Sequence, residues 1–252
     1  MILDQVIRAT AGRVAGLPRT PREFPEKRDH PSLHAALGRR SGRNAIIAEI
    51  KFASPSRGSI RQEIDPAGLA GALSSAGCAA LSVLTEPYFF NGRPEFIPVI
   101  RSGVRIPILR KDFIIDERQL AESRILGADA VLLIAGVLGD RLPGMVDAAF
   151  AHGLEPLVEV HTADEVRAAL GTATRMVGIN NRDLGTLRID LSTTLRLAPL
   201  VRDAGLAVVS ESGLLWPCDV RGLRNHADGY LIGSAIMAAQ DPVKALEGFV
   251  FA

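Results

Sequence analysis

Eight short β-rich runs, each followed by a stretch with helical signals, constrain this 252-residue chain more than any other feature. They are AIIAEIK (45–51), ALSVLT (80–85), IPILRKD (106–112), DAVLLIA (129–135), EPLVEV (155–160), MVGINN (176–181), LAVVSES (206–212) and GYLIG (229–233). Helix punctuation stands between them. Asp65 and Pro66 form an N-cap and first-turn proline, and Gly77 closes that segment. Asp116 opens another that ends near Gly127, and Thr162 with Glu165 spells a capping box. Strands alternating with helices, without a long break, predict a parallel sheet. Eight such units close into a (β/α)8 barrel, with an open doubly wound sheet as the competitor. No GxGxxG stands at any strand–helix turn, which weakens the dinucleotide-binding form of the open sheet. The expected fold class is α/β: a single (β/α)8 TIM barrel with an extra N-terminal helical segment. Residues 1–44 are read as a helical extension packed on the barrel and 45–252 as the barrel itself, one domain overall.

Composition narrows the function classes. Hydrophobic residues make up 47% of the chain, enough for a large core, and a net charge of +1 gives no reason to expect nucleic acid or an anionic membrane as partner. Cys78 and Cys218 are far apart and in no metal-like spacing, so a reduced, cytoplasmic setting is expected. His30 and His34 have an HxxxH spacing, but Pro31 interrupts any helix carrying both. At the N-terminus, Asp4 and Gln5 fall where a signal peptide needs an unbroken apolar stretch, while Ile2, Leu3, Val6, Ile7, Thr10 and Val14 fit one stripe of a helix. No apolar run is long enough to cross a bilayer, and a monomer is the default expectation.

Polar residues recur where apolar runs end. Glu49 and Lys51 share a strand face with Ile47, so an interior face would bring two charges into a core. A single such strand is explained by fraying into solvent. Here the pattern returns at Thr85 and Glu86, Lys111, Glu159, Asn180 and Arg182, and Glu211 and Ser212, all at C-terminal strand ends. In barrels that face carries the active site. The sequences SESG at 210–213 and IGSA at 232–235 set glycine beside serine after the seventh and eighth strands. Barrels often hold phosphate there through backbone N–H groups and the start of a short helix. Gly213 and Gly233 would admit the oxygens, and Ser212 and Ser234 could donate to them; tight turns alone would also explain the glycines.

The blocks IAEIKFASPSRG, LSVLTEPYFFNG, LRKDFIID, GADAVLLI, LVEVH, GINNRDL and VSESG follow in order across residues 46–213. Together they closely resemble indole-3-glycerol phosphate synthase, from about residue 44 to the C-terminus, and the N-terminal helix looks like the extra helix of that family. The resemblance implies closure of the indole ring of 1-(2-carboxyphenylamino)-1-deoxyribulose 5-phosphate, with loss of carbon dioxide and water. It implies a phosphorylated small-molecule substrate and neither metal nor organic cofactor. It makes Lys111 the general acid toward the ketone oxygen and gives Glu159 the acid/base role in dehydration, with Lys51 also at the reacting centre and Glu49 orienting the lysines. Repulsion from Lys51 would lower the Lys111 pKa, while nearby carboxylates oppose that shift. By the same resemblance Asn180 and Glu211 contact the substrate hydroxyls and the intermediate, and Arg182 is a further charge partner. Ser54, Ser212, Gly213, Gly233 and Ser234 match substrate- and phosphate-holding positions. Phe90 and Phe113 match apolar positions beside the aromatic ring, or pack as ordinary core.

Other features read as structural. His161 follows Glu159 at same-face spacing but lies at a helix start, Trp216 is expected to pack at the opening of the seventh helix, and RTPREFPEKRDH (19–30) is a solvated linker. Phe52 and Arg57 stand where family members often carry lysine or another residue, and the loop after the first strand is expected to fold over the substrate. Another phosphate-binding barrel, such as a sugar-phosphate isomerase, would share the SESG and IGSA end but would not need Lys51, Lys111 and Glu159 together. A non-catalytic binder would be expected to have lost one of those three.

Overall fold

The computed structural model of the chain describes residues 2–18, 31–38, 42–51, 53–54, 58–59, 65–183 and 185–252, without the side chains of 2, 53, 54, 58 and 59. The linker 19–30 with His30, and Phe52 and Arg57, lie outside the described residues, as does the side chain of Ser54. Eight parallel strands form a closed barrel. They are β1 (Ile46–Ile50), β2 (Ala80–Leu84), β3 (Ile108–Lys111), β4 (Ala130–Ile134), β5 (Glu155–Val160), β6 (Met176–Asn180), β7 (Ala207–Glu211) and β8 (Gly229–Ile232). Each strand pairs with the next in sequence, and β8 closes on β1 through Ile46 opposite Tyr230 and Ala48 opposite Ile232. The open-sheet alternative is thereby excluded.

The period-2 geometry of a strand sorts the residues into two cores. Ile46, Ala48 and Ile50 face outward, joining Leu73, Ile97, Val158 and Val201 in the apolar layer between barrel and helices. Ile47, Leu109, Leu157, Met176, Val209 and Leu231 face inward and fill the lower barrel, with Leu33 and Leu37 packed against them from below. Two residues further along the same inward faces stand Glu49, Lys111, Glu159, Gly178, Glu211 and Gly233. The fraying explanation for Glu49 therefore fails: it is 4% exposed.

Local chemistry sets the helix ends. Asp65 accepts from the backbone N–H groups of Ala67 and Gly68 to start helix Pro66–Ser75, and Asp116 with Gln119 forms a full capping box on Glu117–Leu126. The box expected at Thr162 is only half made. Its hydroxyl accepts from the Glu165 N–H, but the Glu165 carboxylate turns to the N–H of His161, at 2.6 Å. Trp216 also departs from expectation, being 67% exposed rather than packed. The helix it precedes is opened by Pro217 and by Asp219, which accepts from the N–H groups of Leu215 and Trp216, so nothing there requires the indole to be buried. After β1, Ala53–Ser54 pairs antiparallel with Gly58–Ser59.

The N-terminal helix Ile2–Ala15 lies on the barrel with Val6, Thr10 and Val14 buried. Arg13 near its end donates from Nη2 to both carboxylate oxygens of Asp112, at 2.8 Å each. Asp112 also accepts from the Thr85 hydroxyl at 2.7 Å and from Arg110 at 2.9 Å. Arg110, fully buried, reaches Glu122 as well, at 2.7 Å. This network lies directly beside Lys111 and ties the helix to the strand end that carries it. Among the described residues no helix is long and apolar enough to cross a membrane.

Candidate active site

The inward charged layer forms the floor of a cavity of about 300 Å³ at the C-terminal end of the barrel. Of the residues anticipated from sequence, Glu49, Lys51, Phe90, Lys111, Phe113, Glu159, Asn180, Arg182, Ser212, Gly213, Gly233 and Ser234 line it. Glu211 is 1% exposed and lies beneath that lining, in contact with it through Lys111.

Lys111 is the centre of the floor. Its Nζ is 3.1 Å from Glu159 Oε2 and 3.4 Å from Glu211 Oε2. Burial penalises its charge, but Glu159, Glu211 and Glu49 together outweigh that penalty and hold its pKa well above the ordinary lysine value. The open question of direction is thus decided by the carboxylates. Lys51 pairs at 2.7 Å with Glu49, two residues back on the same face. Glu49 and Glu159 both stay below the usual carboxylate range: burial raises each, and the reversal comes from Lys51 and Lys111 at Glu49 and from Lys111, His161 and the Asn180 hydrogen bond at Glu159.

Three carboxylates share two lysines on this floor, and Glu211 takes the consequence. Burial pushes its carboxyl up, Lys111 pulls it back, and Glu159 and Glu49 add to the rise, leaving a pKa of about 8. Neither of its oxygens has a hydrogen-bond partner among the described residues. Its space is supplied by β6, where a Cβ on Gly178 would collide with Glu211 Oε1. Gly233 serves Glu49 in the same way, since a Cβ there would stand 3.0 Å from the Glu49 Cβ and overlap its carboxylate. Gly178 was not anticipated; a lone glycine on the inward face of a strand, in register beside Glu159, is the signal that marks it.

Asn180 donates to Glu159 Oε1 at 3.0 Å and accepts from the Arg182 N–H at 3.0 Å. Arg182 in turn donates to the Leu187 carbonyl at 3.2 Å, holding the loop that brings Leu187 and Ile189 to the cavity. The next residue, Asn181, was also missed. Its amide reaches the carbonyls of Glu211 and Ser212 at 3.0 and 3.1 Å, and its oxygen accepts from the N–H and hydroxyl of Thr194. It thereby fixes the end of β7, where Ser212 and Gly213 both have positive φ, 64° and 82°. A serine in that region is uncommon and marks a turn held by its surroundings. Ser212, Gly213, Gly233 and Ser234 gather at the β7–β8 end of the cavity.

The walls are apolar. Phe90 and Phe113 lie with ring centroids 6.2 Å apart and planes tilted by 37°, both only partly buried and both facing the cavity. Leu132, Ile134 and Leu231 line other strands, and Leu3 and Val6 of the N-terminal helix also line the cavity. Thr85 and Glu86, which shared the polar strand-end pattern, do not face it. Thr85 bonds Asp112 and Arg110, and Glu86 caps the short helix Pro87–Phe90 by accepting from three backbone N–H groups.

Residues 5–249 match the family model described as indole-3-glycerol phosphate synthase. The indole-3-glycerol phosphate synthase of Carboxydothermus hydrogenoformans is 46% identical over 220 residues, covering 86% of this chain and 83% of that protein. That of Azoarcus sp. is 46% identical across 95% of this chain and 92% of its own, and that of Methanopyrus kandleri 42% identical across 98% and 97%. Among solved structures, a 3-hexulose-6-phosphate synthase superposes with a TM-score of 0.64 at 16% identity, covering 81% of this chain and 97% of that one. This last likeness concerns the barrel fold. A family match along nearly the whole chain, with relatives 42% and 46% identical over most of their own length, establishes that the chain belongs to the indole-3-glycerol phosphate synthase family.

Proposed function

We propose that the protein closes the indole ring of 1-(2-carboxyphenylamino)-1-deoxyribulose 5-phosphate, releasing carbon dioxide and water. The observation that carries this reading is the position of Lys111, charged between Glu159 and Glu211 on the floor of an apolar-walled cavity. Ring closure develops an alkoxide on the substrate's ketone oxygen. An alkoxide is a far stronger base than a lysine amine, so Lys111 can protonate it although its pKa is raised, and the carboxylates keep the proton in place until then.

Glu159, held through one oxygen by Asn180 and through the other by Lys111, is placed to exchange protons in the dehydration that follows. Lys51, oriented by Glu49, serves the same reacting centre from the β1 side. Glu211, whose pKa is raised to about 8, can donate a hydrogen bond while it holds its proton, which an ionised carboxylate could not. Asn180 and Arg182 supply polar contacts to the substrate. Phe90 and Phe113 offer flat apolar surface to its aromatic ring, Gly213, Gly233 and Ser234 hold the phosphate, and Ser212 contacts the substrate beside them, as Ser54 does by family resemblance alone. Residues 1–44 are read as an extension of the same domain, supported by the Arg13–Asp112 bridge. The two free cysteines fit action in the reducing cytoplasm.

The test is to mix the purified protein with the carboxyphenylamino-deoxyribulose phosphate, without added metal, and follow indole fluorescence. A signal proportional to protein is expected. Tight binding without a signal would point instead to a non-catalytic binder.

A further inference from the structure

The ring-closing reaction consumes one proton from solvent in every turnover. The ketone oxygen leaves as water and takes two protons. One comes from the carbon beside the nitrogen, removed as the ring becomes aromatic. Loss of carbon dioxide from a carboxylate leaves its electron pair with the ring and supplies no proton, so the second must come from solvent in every turnover. One route for that proton is the cavity mouth.

A second route leads to Glu159 from the rear. His161, two residues along the same strand end, has Nε2 3.5 Å from Glu159 Oε1, about half an ångström beyond an ordinary hydrogen bond. That nitrogen is buried and has no hydrogen-bond partner among the described residues. The opposite ring nitrogen, Nδ1, is 3.4 Å from Glu165 Oε2, and the same Glu165 oxygen accepts the His161 backbone N–H. Glu165 is held in turn by the start of its helix and by Gly136, where a Cβ would stand 2.9 Å from Glu165 Oε1. The side chains run outward in exposure, from 2% at Glu159 to 14% at His161 and 23% at Glu165.

We propose that Glu165, His161 and Glu159 form a proton-delivery line, with His161 a positioning and proton-transfer residue that acts on the substrate only through Glu159. The proposal rests on the ring-closing reading above. In the step, the imidazolium releases its Nε2 proton to Glu159 Oε1, Glu159 gives a proton to the departing hydroxyl, the Lys111 amine left by ring closure takes the proton lost from the carbon beside the nitrogen, and the neutral imidazole regains one from solvent between turnovers. The charged groups that act on His161 are Glu159 near the end of β5, Glu165 on the following helix, Glu211 on β7 and, at the surface after β6, Asp183. All four are acidic. Burial disfavours the imidazolium, yet the hydrogen bond to Glu165 and the charges of Glu159, Glu165 and Glu211 hold its pKa above the usual histidine value.

The test compares His161→Gln and His161→Phe with the unsubstituted protein in the indole assay across pH. We expect kcat to fall roughly tenfold in both, less than for a direct general acid, with KM changed less than about twofold. Added imidazole should restore turnover in the variants, and the alkaline fall of kcat caused by His161 losing its proton should vanish in His161→Gln. A merely structural residue would show neither effect. Normal turnover in His161→Gln, or a loss that imidazole does not restore, overturns the proposal. A proton NMR titration needs no turnover. The His161 midpoint, assigned by its absence in His161→Gln, should move to lower pH in Glu159→Gln, and an unchanged midpoint overturns the line whatever the assay gives. Failure of the unsubstituted protein to form indole would overturn the functional reading, and with it the delivery of a proton to that reaction, while the titration still decides whether His161 and Glu159 are coupled.

Discussion

Arg13 and Asp112, 99 residues apart in sequence, are joined by one guanidinium nitrogen lying 2.8 Å from each carboxylate oxygen. The contact connects the N-terminal helix to the residue immediately after Lys111. Arg13 Nε and Nη1 are buried and find no hydrogen-bond partner among the described residues, so the bridge is weaker than a two-nitrogen fork. Asp112 keeps Arg110 and Thr85 when Arg13 is removed. Arg13→Ala should therefore cost about 1–2 kcal/mol, below the usual penalty for breaking a buried pair. Because Leu3 and Val6 line the cavity from this helix, KM should rise more than kcat falls. Urea unfolding and steady-state kinetics check both, and an unchanged KM would show that the helix does not need this bridge to cover the site.

Lys111→Ala should lower turnover by about 10²–10⁴-fold, the usual contribution of a positioned acid, while product binding is largely kept. The apolar walls and the β7–β8 end of the cavity remain intact in that variant. Fluorescence titration with product separates binding from chemistry. Normal turnover would remove Lys111 from the role of acid.

Glu211→Gln should stabilise the protein, and only above mildly acidic pH. In the unfolded chain this carboxyl ionises near 4.3, whereas in the folded protein it holds its proton to about 8. Between those values the folded state binds more protons than the unfolded state, so stability falls as pH rises through that window. The neutral amide avoids the loss. Thermal unfolding should show equal Tm values for the two proteins at pH 4 and a Tm higher by several degrees for the variant at pH 8. A gain that is the same at both pH values would mean that ionisation is not its cause.

Gly178→Ala should damage activity from beneath the site. Its new methyl would occupy the space of Glu211 Oε1, displacing that carboxylate and the Lys111 ammonium beside it. Overpacking of this kind costs about 1–3 kcal/mol. The accompanying loss of kcat should largely disappear in the Gly178→Ala, Glu211→Ala background relative to Glu211→Ala alone, because the clash is then gone. Additive losses in the double variant would place the defect elsewhere.

Much of this architecture was legible in the chain. The alternation of β-rich runs with capped helical stretches determined a parallel α/β sheet, because a strand's period of two and a helix's capping chemistry are local properties, whereas closure into a barrel rests on the pairing of the last strand with the first. The same period determined that Glu49 and Lys51 share a face with Ile47, and that charged residues cluster at one end of the strands. Ordered motifs marked the family. What remained hidden depends on distances between segments far apart in sequence. That Thr85 and Glu86 serve the scaffold while Glu159 serves the cavity follows from which strand lies beside which, and both groups look alike as strand-end polar residues. The half-made cap at Thr162, the exposed Trp216 and the rear position of His161 were decided in the same way. The charge state of the floor was the furthest from reach. Only the closed barrel brings Glu49, Glu159 and Glu211 around Lys111, and Coulomb interactions between buried groups depend on their separation and burial, neither of which is a property of neighbouring letters in the chain.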